Sequence, residues 1–576
     1  MDLIYHILKY FYHRLFKKNL ENNPRWFPLS SNGSRIKTFD KPFLSNNDTD
    51  GFFTRFYKTK LHISKFLNLN LNLGKYFFFK YEIIKAKTIY KEIEIKKREE
   101  DFFLPISTFN NSIQKFLISD ETTEPNEVGI FPERYTYLNF KKNSKVKISS
   151  KKRFIVGEPI AKKTKHKNKY NLVILVLIDG FSNQKLDKFN IDNYFPNIND
   201  FFNDGILFKN NFCNAEWTLP SVPSFFTGMR QQNHGFYHNK KFHTFRKDTK
   251  LLPELFKDKN YLTLNINSNP RISPLYGYVR GFDRTIHKLN FSFDEICNEV
   301  DEHINTFKER DKFIFINLFD LHDTPHGLLS LEAQSNLKNE YLTKNTRDSK
   351  IVSPVKNKKF YYDEIEIQKY LSQLKKVDRI MERIFDTLQK HSKNENSIIS
   401  LVTDHGHPFT ENTTELLSKK RMNVPWYIKA GGVGPSIQNG FTENVDFFSS
   451  LVNLCELNKN GNINAKFKED FLGENNTDSI LPKCFGGSKE REFVFIQSIY
   501  NNQPYISKII DNEMEFLLET KESISSEGKI NLEQPIISHN GKINTKKIVK
   551  YKDYCVNRAN DWNSSIDNKK FPFEQV

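Results

Sequence analysis

Residues 172–180 read LVILVLIDG, an unbroken aliphatic run that ends on Asp179 and Gly180. Such a run suits a strand buried on both faces of a parallel sheet, with the carboxylate delivered at its carboxyl end. Outward from it the chain alternates. FIFINLF at 313–319, SIISLVT at 397–403 and VPWYIKA at 424–430 read as further strands. ELFKDKN at 254–260 and the long EIEIQKYLSQLKKVDRIMERIFDTLQKH at 364–391 read as amphipathic helices. This alternation predicts a doubly wound, mostly parallel α/β sheet flanked by helices, whose ligands gather at the carboxyl ends of its strands. Asp179, Asp320 and Asp404 each follow such a strand directly, which places the candidate site.

At 576 residues the chain exceeds a single core, and it divides by pattern into three parts. Residues 1–168 are expected to form a separate β-rich accessory region, from aromatic and alternating stretches such as KYFFFKYEII and KTIYKEIEIKK. Residues 169–483 form the α/β unit. Residues 484–576, with REFVFIQSIY, QPYISKIID and MEFLLET, predict a small antiparallel sheet. The composition, 38% hydrophobic and 27% charged, is that of a globular chain rather than a disordered one. A net charge of +18 raises nucleic acid as a partner, yet the basic residues are dispersed among acidic ones and no zinc-finger or RNP pattern occurs. An anionic small molecule, glycan or lipid phosphoester accounts for the charge instead. Five widely spaced cysteines without a CxxC disfavour both a disulfide framework and a cysteine zinc site and favour a reducing compartment. The first residues lack a signal-peptide pattern, so a cytoplasmic location is expected. Leu3, Ile7, Phe11 and Leu15 recur at helical spacing beside Lys9, Arg14, Lys17 and Lys18, a pattern that fits either contact with a membrane surface or packing on the chain's own domain.

Three segments carry chemistry. EWTLPSVPSFFTG at 216–228 places the Thr218 hydroxyl in a turn before a helix, with Pro220 near its first turn. SLVTDHGH at 400–407 supplies Asp404, His405 and His407, and HDTPH at 322–326 supplies His322, Asp323 and His326, with Asp320 just before. Oxygen and imidazole donors together suit Zn or Mn, with Ca or Mg allowed if fewer histidines bind. A divalent ion on Asp179, Asp404 and His405 would lower the pKa of a neighbouring hydroxyl and make Thr218 a nucleophile. A lone aspartate after a strand is as often a helix cap; three strand-end carboxylates with an Asp-His pair are not explained as caps.

The stretch FPNINDFFNDGILFKNNFCNAEWTLPSVPSFFTGMRQQNHG, followed in order by LLPELFKDKNYLTL, RGFD, DHG, VPWYIKAGG and VDFFSSLVNLCEL, resembles the sulfatase-like branch of the alkaline phosphatase superfamily. The likeness spans residues 171–460. It implies one ion held by Asp179, Thr218, Asp404 and His405, and a second ion, or a proton donor to the leaving group, among His322, His326, Asp320 and Asp323. Departures from the family pattern bear on the reaction. Thr218 stands where a sulfatase has the cysteine that becomes formylglycine, and Val222 where its arginine follows. INSNP at 266–270 replaces the family's K-x-H, leaving Asn267 and Asn269 as candidate substrate contacts together with Lys419 of the basic turn that follows DHG. Thr218 resembles the threonine of the superfamily's phosphodiesterases and its phosphoglycerol and phosphoethanolamine transferases. The expectation is therefore a metal-dependent phosphoester or phosphodiester hydrolase or transferase working through a Thr218 phospho-enzyme, with His322 and His326 assisting. A sulfatase with an atypical nucleophile and a catalytically idle binding subunit are the alternatives.

Overall fold

A computed structural model describes residues 80–457 apart from 110–112, 121–123, 132–134, 165–167, 183–189, 216, 237–244, 247, 289–290, 323–328, 344–363, 392–395 and 408–418, and the strands at 50–56 and between 481 and 540. The strands that frame the site are β1 (Tyr81–Ile89), β2 (Leu172–Ile178), β3 (Ile206–Phe212), β4 (Leu262–Asn267), β5 (Arg284–His287), β6 (Lys312–Leu318), β7 (Ser397–Val402), β8 (Trp426–Ala430) and β9 (Ser436–Glu443). They lie side by side in the order β1-β5-β4-β6-β2-β7-β8-β3-β9. From β5 through β7 every pairing is parallel; β8 then runs antiparallel to both β7 and β3, and β3 pairs β9 in parallel.

The aliphatic run of β2 is central because each of its faces has a core to enter. Leu172, Ile174, Val176 and Ile178 pack into one cluster, while Val173, Leu175 and Leu177 pack into a second on the other face. The first face is covered by the apolar stripes of Phe293–Thr306 and Glu364–His391, and the second by Thr218–Thr227, Leu252–Asp258 and Asp446–Leu454. In chain order these helices are α1 (Thr218–Thr227), α2 (Leu252–Asp258), α3 (Phe293–Thr306), α4 (Glu364–His391) and α5 (Asp446–Leu454). Burying both faces is what an all-aliphatic parallel strand requires, since neither face offers water a polar residue. Register then aligns the carboxyl ends: Leu177 stands beside Asn317 of β6 and Val402 of β7, so the residues that follow β2, β6 and β7 emerge at one edge.

The β-rich character expected of the N-terminal part is present in the strands between residues 81 and 161, but that region is not set apart. β1 pairs antiparallel with β5, so the N-terminal strands extend the α/β sheet. A buried ion pair crosses the seam: Glu82, 1% exposed, accepts from Arg284 Nε at 2.5 Å and from the Tyr137 hydroxyl at 2.6 Å. A carboxylate this deep is tolerated only with such charge-assisted donors. A second, four-stranded sheet (Glu92–Ile95, Gln114–Ser119, Asn126–Ile130, Val146–Ser149) completes this region. Strands between 481 and 540 form the expected antiparallel sheet, six strands in simple sequence order. The N-terminal amphipathic stretch lies outside the described residues, and among the described residues no helix is long and apolar enough to cross a membrane.

Candidate active site

The site forms where three strand ends meet one helix start. β2 delivers Asp179 and β7 delivers Asp404 and His405; both carboxylates are fully buried. Helix α1 begins at Thr218, with Trp217 as its extended N-cap residue and Gly228 closing it in a left-handed conformation at φ 66°. Pro220 falls in the first turn, where no amide is needed, so the Pro-containing sequence can still start a helix there. All ten of its residues are buried, which sets Thr218 firmly in place with the positive end of the helix dipole behind it.

The Thr218 hydroxyl donates to Asp179 Oδ2 at 3.2 Å and lies 3.4 Å from His405 Nε2. Asn269, on the loop after β4, donates to the same Asp179 oxygen at 2.5 Å. Asp404 Oδ1 accepts the backbone amides of Gly180 (3.3 Å) and His405 (3.0 Å), and Ser221, one turn into α1, donates its hydroxyl to the Asp404 carbonyl at 2.8 Å. The His405 tautomer follows from its partners. Nδ1 faces the Gly406 carbonyl at 3.0 Å and must donate, which leaves the Nε2 lone pair aimed at Asp179 Oδ1 (3.7 Å) and Asp404 Oδ2 (3.4 Å).

Those two carboxylate oxygens are buried and have no hydrogen-bond partner. Burial, reinforced for Asp179 by the neighbouring Asp404, pushes both carboxyls up to about 6, and burial pulls the His405 imidazole down to about 4. Two orphaned carboxylate oxygens facing a bare imidazole nitrogen are an arrangement that asks for a cation. Donor atoms on a tetrahedral ion with bonds of about 2.1 Å stand about 3.4 Å apart, close to the separations found here. Donor atoms of Asp179, His322 and His405 also lie within 4.8 Å of one another. The residues present therefore fit a divalent metal ion, and Asp179, His322, Asp404 and His405 are the groups that could hold it.

Other candidate residues fall elsewhere. Asp320 turns to Lys376 Nζ at 3.6 Å and stands outside the donor cluster. Asn267 bonds Asn265 (3.1 Å) and His287, a buried polar network beneath the site, whereas Asn269 reaches Asp179 directly. Lys419 begins the short helix Lys419–Met422. Asp323 and His326 lie outside the described residues. His407 does not join the donors; its Nε2 donates to the Leu321 carbonyl at 3.2 Å. Ser221, Asn269's bond to Asp179 and Tyr370, whose hydroxyl donates to the Gly180 carbonyl at 3.3 Å, have no sequence signal of their own.

Gly180 is required by shape. Its φ is +72°, and a Cβ there would come within 2.4 Å of His407 Nε2. Gly180→Ala is expected to cost about 2 kcal/mol or more, from left-handed strain together with the clash, measured by urea denaturation.

Residues 171–457 match the sulfatase family. Among solved structures, a 2-O GAG sulfatase superposes with a TM-score of 0.50 at 14% identity, covering 69% of this chain and 93% of its own. At that identity the likeness shows a shared fold. A putative sulfatase from Bacteroides fragilis (TM-score 0.46, 13% identity, 72% of this chain and 99% of that one) and a phosphonate monoester hydrolase from Silicibacter pomeroyi (0.45, 11%, 69% and 96%) are also similar. No curated protein matches this chain in sequence.

Proposed function

We propose that the α/β unit, whose residues 171–457 match the sulfatase family, cleaves a phosphoester or phosphodiester with Thr218 as nucleophile. The observation that carries the proposal is the Thr218 hydroxyl itself, buried at the start of α1 and held between Asp179 Oδ2 and His405 Nε2. A threonine cannot become the aldehyde on which the usual sulfatase reaction depends, but it can attack phosphorus as an alcohol.

Thr218 Oγ1 forms the new bond to phosphorus, the bond from phosphorus to the leaving oxygen breaks, and the electron pair departs with that oxygen. The hydroxyl proton passes to Asp179 Oδ2, the acceptor it already addresses. Asn269 keeps that carboxylate oriented. The phospho-threonine is then resolved by water or by an acceptor alcohol. A bound divalent ion, Zn or Mn for this mixture of imidazole and carboxylate donors, would lower the pKa of the hydroxyl and offset charge on the transferring group. The +18 net charge favours an anionic substrate such as a phosphorylated glycan or lipid.

Cleavage of a sulfate ester is the second reading, favoured by the family match and by the sulfatases among the similar structures. Turnover of bis-p-nitrophenyl phosphate against p-nitrophenyl sulfate, both with Mn or Zn added, separates the two. The aryl oxide leaves without help from an acid, so the comparison reads the nucleophile and its environment. Phosphate-ester turnover at least about tenfold faster is expected; faster cleavage of the sulfate would reverse the assignment.

A further inference from the structure

The donors of the proposed metal site sit on three loops far apart in sequence, after β2, β6 and β7, and two side chains outside the donor set tie all three together. Tyr370, on α4, is fully buried. Its hydroxyl donates to the Gly180 carbonyl at 3.3 Å and accepts the Ser182 amide at 2.9 Å, so it brackets the turn that follows Asp179. Its ring meets the His407 ring edge-on, with centroids 5.4 Å apart. His407, two residues beyond His405, donates from Nε2 to the carbonyl of Leu321, the residue before His322. The same nitrogen occupies the space a side chain on Gly180 would take.

We propose that Tyr370 and His407 act as one positioning bracket that fixes the three donor loops relative to one another and so sets the affinity of the site for a divalent cation. This deepens the reading of Asp179, His322, Asp404 and His405 as metal donors and rests on it. The physical reason is that ligand geometry on a loop is only as fixed as its backbone, and buried hydrogen bonds to a rigid helix supply that fixity at low entropic cost. Neither side chain touches the reacting atoms. The long helix is well suited as the anchor, since Lys376 and Asp378 on the same element hold Asp320 and the amides of Asn197 and Ile198.

The test uses the full chain stripped of metal, titrated with Mn2+ by calorimetry, with hydrogen exchange read at the Ser182 amide. Tyr370→Phe keeps the ring and removes both hydroxyl bonds; it is expected to weaken Mn2+ binding about 10- to 100-fold and to speed exchange at Ser182. His407→Ala is expected to weaken binding similarly, whereas His407→Gln, whose amide can still donate to Leu321, keeps most of it. Wild-type affinity and wild-type exchange in Tyr370→Phe would overturn the bracket. If the wild-type chain binds no divalent ion, the metal reading fails, while Ser182 exchange still decides whether Tyr370 holds the loop. Should His407→Ala fail to fold, Tyr370→Phe decides alone.

Discussion

Thr218→Ala is expected to lose turnover of an aryl phosphodiester by about 10³-fold or more while remaining folded. The size follows from the role: removing the atom that forms the covalent bond abolishes the two-step route, and what remains is metal-assisted attack by water. The modest structural cost follows from the geometry. Asp179 Oδ2 keeps its bond from Asn269 when the threonine hydroxyl goes, so no further acceptor is orphaned, and the loss is about 1 kcal/mol. Thr218→Ser, which retains a hydroxyl, is expected to keep a measurable fraction of the rate. Steady-state kinetics with circular dichroism on the same samples checks both halves, and undiminished turnover in Thr218→Ala would remove the nucleophile from the account.

Asp404→Asn has two effects of opposite sign. It is expected to abolish divalent metal binding and with it at least about 10³-fold of activity, because the carboxylate oxygen facing His405 Nε2 is one of the two orphans of the site. In metal-stripped protein it is expected to stabilise the fold by about 1–3 kcal/mol. The asparagine oxygen can still accept the Gly180 and His405 amides, and its NH2 can donate to the bare His405 nitrogen 3.4 Å away, replacing a buried unpaired charge with a satisfied amide. The pH dependence has a definite sign. Burial raises the Asp404 carboxyl from an unfolded value of about 3.9 to about 6, so its contribution to stability is fully present below the unfolded value and is lost as pH rises towards 6. The advantage of Asp404→Asn over the wild type should therefore be small near pH 4, grow to pH 6 and stay level above. Urea denaturation in chelator across that range reads it. Saturating metal should invert the order, since only the wild type gains from binding; at a thousandfold excess over Kd that gain is about 4.1 kcal/mol, more than the advantage of the variant.

Much of this site can be read from sequence for a topological reason. A strand buried on both faces is an unbroken aliphatic run, and the polar residue ending such a run is conspicuous, as Asp179 and Asp404 are. Thr218 is legible from Pro220 in the first turn of α1 and from the Gly228 stop, while Pro223 falls inside the helix. What stayed hidden depends on contacts across long separations. Nothing near Tyr370 marks it, since its partner Gly180 lies 190 residues away and a tyrosine in an amphipathic helix is ordinary core material. Asn267 and Asn269 looked equivalent in sequence, yet β4 ends between them, leaving Asn267 in a buried network with Asn265 and His287 and only Asn269 at Asp179. Asp320 follows its strand as Asp179 follows β2, but Lys376 of α4 draws it away from the donors. The edge pairing of β1 with β5 was equally invisible: alternation predicts a strand, but register and partner are set by side chains such as Glu82 and Arg284 that meet only after folding.

Thr218 is expected to become covalently linked to phosphorus during turnover. The direct measurement is rapid acid quenching of the metal-supplemented chain during turnover of bis-p-nitrophenyl phosphate, followed by peptide mass spectrometry. A p-nitrophenyl phosphate or phosphate adduct on the peptide containing Thr218, absent from Thr218→Ala, is the expected result. Turnover with the group found on another residue, or with the Thr218 peptide unmodified under quench conditions that preserve phosphothreonine at times shorter than one catalytic cycle, would contradict it.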